Sequence, residues 1–194
     1  MNTELLIEIF GTVTGIVYVV LEIYKHRSMW IVGIITSLVY IYVFAQNGFY
    51  AMAGLNIYYV GISIYGLWRW KVAPNICRAG KWTILSCLLT MATLFLLLTF
   101  VLGRFTDAPL PYADALITSM SIVATWMLSH SYLEQWWVWI FANLFATGVY
   151  GWQGLYPTMI LFAAYTVAAI IGYRKWEKFY IFARQIEIIT PYSS

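Results

Sequence analysis

Residues 136–176 read WWVWIFANLFATGVYGWQGLYPTMILFAAYTVAAIIGYRKW, and residues 30–70 read WIVGIITSLVYIYVFAQNGFYAMAGLNIYYVGISIYGLWRW. Laid over one another at an offset of 106, they bring Trp136 onto Trp30, Gly154 onto Gly48, Tyr156 onto Tyr50, Tyr165 onto Tyr59, Gly172 onto Gly66 and Trp176 onto Trp70. The same offset, without a gap, puts Asp114 on Glu8 and Thr118 on Thr12. Two greasy segments match leucine on leucine by chance. They seldom match tryptophans, glycines and acids in one register, so the chain carries an internal duplication.

What is duplicated is lipid-like. Of the 194 residues, 62% are hydrophobic and 10% charged, against about 25% charged in an ordinary soluble domain. A bilayer core of about 30 Å takes about 20 mostly apolar residues per helix. That test predicts an all-α integral membrane protein with seven spans, over about 4–23, 29–46, 50–69, 82–102, 112–130, 136–152 and 156–173. Gln46-Asn47-Gly48 and Gln153-Gly154 supply turn chemistry between adjacent spans. The fourth span, with Leu94-Phe-Leu-Leu-Leu98, holds neither an amide nor a charge beyond its ends. Glu4 and Glu8 stand where a cleavable signal peptide would carry a basic region, so the first run reads as a retained span.

Seven spans put the two ends on opposite sides. One side then collects Lys25, Arg27, Arg69, Lys71, Arg78, Lys81, Arg174, Lys175, Lys178 and Arg184; the other collects Arg104. Cationic loops favour the cytoplasm, which places the N-terminus outside and the C-terminus inside. Glu22, near the inner end of span one and close to Lys25, reads as a solvated interfacial charge.

Three helices end on the side opposite to where they began. The fourth returns the chain, so both repeats enter from the same side. The expected plan is one transmembrane domain over 1–194, with repeat 1 at about 4–71, a linker helix at about 82–102 and repeat 2 at about 112–177. These 3+1+3 parallel repeats have the arrangement of SWEET-type transporters, which hold a solute near the midplane between halves. Architecture alone gives no chemistry.

The chemistry lies in polar stripes, since residues three and four apart share a helix face. Span five carries Asp114, Thr118, Ser121, Thr125 and Ser129; span six carries Trp136, Trp139, Asn143, Thr147 and Tyr150. Span three carries Asn56, Tyr59 and Ser63, and span two Gly33, Thr36, Ser37 and Tyr40. Hydroxyls and small residues also mediate close helix packing in lipid, and the span-five hydroxyls fit that reading. Asn143 fits it less well, because a carboxamide at mid-depth has two donors and two acceptor lone pairs to satisfy. Glu8 and Asp114 admit two readings. One is an acid favoured near a helix N-terminus by about 0.3–1 kcal/mol; the other is a pair of acids at the outer mouth attracting a cation. Trp30, Trp68, Trp70 and Trp176 fit an interfacial belt, Trp126 and Trp139 fit either a belt or a site, and Tyr40 and Tyr59 lie deeper. An aromatic cage would hold a flat cationic ring by cation–π attraction of about 2 kcal/mol when desolvated.

No Walker-type glycine loop, metal-spaced cluster or Ser-His-Asp set is present in the sequence. It carries no cofactor signature, no mark of an enzyme, and at net charge +3 little support for nucleic-acid binding. Cys77 and Cys87 have no metal spacing and read as incidental apolar side chains.

With the repeat and these residues in hand, the sequence resembles the Pnu family of vitamin transporters from Glu8 to Trp176. The likeness rests on Glu8-Ile-Phe-Gly11-Thr12-Val-Thr-Gly15, Tyr65-Gly66 with Trp70, Asp114 with Ser121-Ile-Val-Ala124, Glu134-Gln-Trp136-Trp-Val-Trp139-Ile-Phe-Ala-Asn143, and Gln153-Gly154-Leu-Tyr156. The Trp-to-Asn segment is the most specific of these. The resemblance implies a SWEET-like fold and facilitated diffusion across the bacterial inner membrane. It also implies uptake pulled by a separate cytoplasmic vitamin kinase, and a homotrimer as one assembly to test. Its solute would be nicotinamide riboside by family default, or thiamine by the family's thiamine branch. The implied site uses Trp139, Tyr59, Tyr40 and Trp136 as aromatic surfaces and Asn143, Asn56, Ser63 and Thr36 as polar contacts, with Glu8 and Asp114 favouring cation entry. Rocking of one repeat against the other would expose the solute alternately. The chain departs from the family's pattern where Thr36 and Ser63 replace asparagine and Asn56 replaces glutamine.

Overall fold

The computed structural model describes residues 3–46, 50–105 and 110–189, except the side chains of 3–5, 8, 50–51 and 187–189. Among the described residues there are seven helices: α1 (Thr3–Ile23), α2 (Ser28–Gln46), α3 (Tyr50–Val72), α4 (Lys81–Phe105), α5 (Pro111–Ser129), α6 (Gln135–Trp152) and α7 (Tyr156–Ile189). Six end within a few residues of the expected spans. The seventh runs on past 173. Its 34 residues make about 51 Å of helix, far more than a bilayer core requires. Hydropathy falls at Arg174 and Lys175, but helical hydrogen bonding does not depend on hydropathy, so the helix continues with Glu177, Lys178 and Arg184 on its surface. The turn expected at 46–48 lies largely outside the described residues.

Among the described residues, three helices meet a strict test of length and apolarity for crossing a membrane: α2, α4 and the 156–186 stretch of α7. Tryptophans, tyrosines and polar side chains in α3, α5 and α6 lower their mean hydropathy. The exposure of α4 shows what its surroundings are. It is the most apolar of the three, almost none of it is buried, and Leu88, Leu89, Leu96, Leu97 and Phe100 all face outward. Such a surface is stable against acyl chains and costly in water.

The chain forms two compact units, Met1–Asn75 and Ile76–Ser194. In the first, α1 packs on α2 and α2 on α3; in the second, α4 packs on α5, α5 on α6 and α6 on α7. Each unit contains the same small construction. In the first, Trp30 lies edge-on to Trp70, with centroids 5.3 Å apart at 81°, and a Cβ on Gly66 would stand 2.5 Å from the Trp30 ring. In the second, Trp136 lies edge-on to Trp176 at 5.5 Å and 87°, and a Cβ on Gly172 would overlap the Trp136 ring. All four indoles are at most 2% exposed. Glycine is required at both places because a tryptophan fills the groove on its helix.

The turns repeat too. Lys25 and Ser131 hold left-handed backbone, φ 53° and 58°. Lys25 N–H donates to Glu22 O and His26 N–H to Leu21 O; Ser131 N–H donates to Leu128 O and Tyr132 N–H to Met127 O. Both are Schellman caps, built with a non-glycine residue where glycine is usual. The cap of α6 uses Gly154, φ +76°.

Each unit gathers most of its cations at one end, Arg104 in the last turn of α4 excepted. In the first, Lys25 Nζ donates to Pro74 O and sits 4.3 Å over the Trp70 ring, while Arg27 Nη2 reaches Leu67 O at 3.5 Å. In the second, the 77–79 segment pairs with the α5–α6 turn. Cys77 N–H donates to Ser131 O, Leu133 N–H to Cys77 O, and Ala79 N–H to Glu134 Oε2 at 2.8 Å. Glu22 departs from expectation: it is 4% exposed. The Schellman turn folds the chain back at this level, which a hydropathy profile of α1 alone does not register.

Candidate functional site

In the first unit, the polar faces of α2 and α3 meet α1 around Gly33. A Cβ there would lie 3.0 Å from Ser63 Oγ and 3.1 Å from the Tyr18 ring. Ser63 is 3% exposed and Asn56 9%. Asn56, Tyr59 and Ser63 follow one face of α3 at helical spacing. Asn56 Nδ2 donates to Met52 O of its own helix at 2.9 Å, which leaves the carboxamide oxygen to find a partner elsewhere. Tyr59 contacts Tyr58 with centroids 5.5 Å apart, and both lie within electrostatic range of the Tyr18 hydroxyl, as does Glu22. On α2, Thr36 Oγ1 is buried with no hydrogen-bond partner among the described residues. One turn further on, Tyr40 stacks on Phe44 at 5.5 Å, and its hydroxyl sits where a side chain on Gly11 would be.

In the second unit, α6 presents Trp139 and Asn143 one turn apart. Trp139 Nε1 is buried and has no partner among the described residues. Asn143 is 7% exposed, and its backbone carbonyl accepts the Thr147 hydroxyl at 2.8 Å; no described residue bonds its carboxamide. Asp114 is half-buried in the first turn of α5, close enough to the Tyr150 hydroxyl to interact electrostatically. The side chain of Glu8, its counterpart, lies outside the described residues.

The structure sorts the remaining stripe residues by what their polar atoms do. Ser121 bonds Ile117 O, Thr125 bonds Ser121 O and Ser129 bonds Trp126 O, each within α5. Hydroxyls turned back onto their own helix serve packing. Trp136 has a packing role as well, since it closes the groove at Gly172. Trp139 Nε1 and Thr36 Oγ1 are buried with no partner among the described residues, as are Nε1 of Trp30 and Trp136; Asn143 adds a carboxamide that no described residue bonds. A buried unsatisfied group costs about 1–3 kcal/mol, so a bound partner would recover that cost. Tyr18 and Glu22 belong near the first cluster; the sequence reading passes over Tyr18 and takes Glu22 for a solvated charge, whereas it is buried. Tyr18 sits in an apolar run, GIVYVV, whose only cue is its spacing of four from Glu22.

The candidate contacts are also unequal between the units. At the offset of 106, Trp139 falls on Gly33, Asn143 on Ser37, Asn56 on Phe162 and Ser63 on Ala169. The tryptophan–glycine packing pairs keep the register of the duplication, whereas of Thr36, Tyr40, Asn56, Tyr59, Ser63, Trp139 and Asn143 only Tyr59, opposite Tyr165, meets a like residue at the offset.

Comparison with known proteins agrees with this architecture. Residues 5–178 match the family described as nicotinamide mononucleotide transporter. The nicotinamide riboside transporter PnuC of Escherichia coli is 22% identical over 201 residues, covering 88% of this chain and 84% of the relative. That of Neisseria mucosa is 25% identical, covering 87% and 70%. A crystal structure of the vitamin B3 transporter PnuC superposes with a TM-score of 0.72 at 21% identity, over 92% of this chain and 83% of that one.

Proposed function

The chain belongs to the nicotinamide mononucleotide transporter family, and on that footing we propose that it carries nicotinamide riboside across a bacterial plasma membrane by facilitated diffusion. The observation that carries the choice of solute is the charge of the candidate contacts. Thr36, Tyr40, Asn56, Tyr59, Ser63, Trp139 and Asn143 are all neutral. A mononucleotide's phosphate needs arginine, lysine or several oriented N–H groups; a riboside needs aromatic faces for its cationic ring and amides for its hydroxyls. The relatives reported above are named for the riboside.

In this proposal Trp139 and Tyr59 stack on the ring, with Tyr40 beside them. Asn143, Asn56, Ser63 and Thr36 bond the polar edge. Asp114 and Glu8 favour entry of a cation. The concentration of basic residues at the α1–α2 turn, the 69–81 segment and the end of α7 supports an external N-terminus and a cytoplasmic C-terminus. The recurring Trp–Gly–Trp construction and the paired left-handed caps support two three-helix repeats flanking α4. Net uptake would depend on a cytoplasmic kinase that traps the solute, and a homotrimer would show as a threefold mass.

Calorimetry on the purified protein with nicotinamide riboside, thiamine and nicotinamide mononucleotide tests the reading. Riboside is expected to bind, thiamine more weakly and the mononucleotide not at all. Tighter binding of thiamine would reassign the solute. Failure of all three to bind, or recovery of chemically altered riboside, would end the transport reading.

A further inference from the structure

The second unit holds a basic cleft that transport of a phosphate-free solute does not use. Arg78, Tyr180, Ile181, Arg184 and Gln185 line a space of about 360 Å³. The 77–79 segment brings Arg78 there, because the Cys77 backbone bonds and the Ala79–Glu134 bond tie it to the α5–α6 turn. The part of α7 that continues past the apolar span brings the other four.

The two guanidinium groups are available. Arg78 rests 5.5 Å from the Tyr180 ring, and its Nη2 faces Glu177 Oε1 at 3.6 Å, a carboxylate that also accepts the Tyr173 hydroxyl at 3.0 Å. This leaves Nε and Nη1 of Arg78 without a partner among the described residues. Arg184 has none there either. Two forked donors, a phenol and an amide around one open space match a tetrahedral oxyanion, because each guanidinium presents parallel N–H groups to a pair of phosphate oxygens. Half-exposed Phe179 and Ile181 and exposed Phe182 occupy the same turns of α7. Aromatic and aliphatic side chains interleaved with arginines, where a helix leaves the bilayer core, suit the headgroup layer.

We propose that this cleft binds a phosphate group at the cytoplasmic face of the membrane. The shared chemistry is a phosphate oxyanion, supplied by an anionic lipid headgroup or by a soluble phosphate. The site itself is independent of which vitamin is carried; only its assignment to the cytoplasmic leaflet draws on the orientation proposed above.

Native mass spectrometry of the full chain in detergent, with phosphatidylglycerol, phosphatidylcholine and inorganic phosphate as probes, tests it. Wild type is expected to retain phosphatidylglycerol over phosphatidylcholine, with Arg184→Gln and Arg78→Gln each weakening retention by about fivefold or more and Lys178→Gln leaving it unchanged. Arg184→Gln keeps the test valid if Arg78→Gln disturbs the ion pair with Glu177, since Arg184 has no partner to lose among the described residues. Retention of phosphatidylglycerol that millimolar phosphate does not displace assigns a lipid site. Arginine-dependent binding of inorganic phosphate without lipid selectivity assigns a soluble one. If neither probe's binding falls in Arg184→Gln, the proposal is overturned. Riboside binding is measured on the same samples, and its loss or retention bears on the transport reading alone.

Discussion

Gly172 faces the Trp136 ring so closely that a single methyl group on it would overlap the indole, and 106 residues earlier Gly66 stands in the same relation to Trp30. The contact joins α6 to α7 as its counterpart joins α2 to α3. Ring and groove are rigid on both sides, so an added carbon cannot be absorbed by a flexible side chain. Gly66→Ala and Gly172→Ala should each cost about 1–3 kcal/mol, visible as lower melting temperatures in detergent. Gly61, where a Cβ would meet nothing within 4 Å, is the control. Gly61→Ala should hold or raise the melting temperature, because alanine is the better helix former.

At Lys25 and Ser131 the usual ranking of alanine and glycine should invert. Left-handed backbone costs an L-residue about 1–2 kcal/mol, and glycine escapes that cost. The side chains complicate a direct comparison with wild type: Lys25 caps Pro74 O and covers Trp70. Comparing Lys25→Gly with Lys25→Ala removes the side chain in both and isolates the backbone. The glycine variant should be the more stable by about 1 kcal/mol, and Ser131→Gly should exceed Ser131→Ala likewise. Equal melting temperatures within each pair would show that the caps are not left-handed in solution.

Glu134 holds the 77–79 segment by accepting the Ala79 N–H at 2.8 Å. Hydrogen bonds to a charged acceptor contribute about 1.5–3 kcal/mol, and partial exposure argues for the lower end. Glu134→Ala should open the segment locally without unfolding the bundle. Hydrogen exchange should speed up at Ala79 and Cys77, with helix-core amides in α5 and α6 unaffected. Glu134→Gln, which keeps an acceptor oxygen, should fall between the two.

The scaffold was legible in the sequence because its requirements are periodic. Tryptophan against glycine, apolar runs of about 20 residues and cations at alternate turns leave marks at fixed spacing, and the structure returns them as helices within a few residues of expectation. Three features left no such mark. The extension of α7 beyond 173 follows from hydrogen bonding, which a polar surface does not interrupt. The burial of Glu22 follows from a turn that closes over it. The different fates of neighbouring polar residues depend on rotamers. Ser121 and Thr125 turn their hydroxyls onto α5, whereas that of Thr36 has no partner among the described residues, and no spacing rule separates the two.

Trp139 gives the sharpest test of the solute site, because its ring and its N–H do different things. The ring offers an aromatic face to a cation. Its Nε1 is a buried donor with no partner among the described residues, which a bound solute would pair. Trp139→Phe keeps an aromatic face and deletes the donor; Trp139→Leu deletes both. If the solute pairs Nε1, Trp139→Phe should weaken riboside binding by about 1–2 kcal/mol, or roughly five- to thirtyfold, and Trp139→Leu should weaken it further. Asn143→Ala removes a carboxamide one turn away and should cost a similar amount. Trp139→Phe should melt near the wild-type temperature in the absence of solute, because deleting an unsatisfied buried donor costs the free protein little, whereas Trp139→Leu should melt lower because it empties space the ring fills. A melting temperature that falls while affinity stays constant would make Trp139 a packing residue like Trp136 and would remove α6 from the solute site.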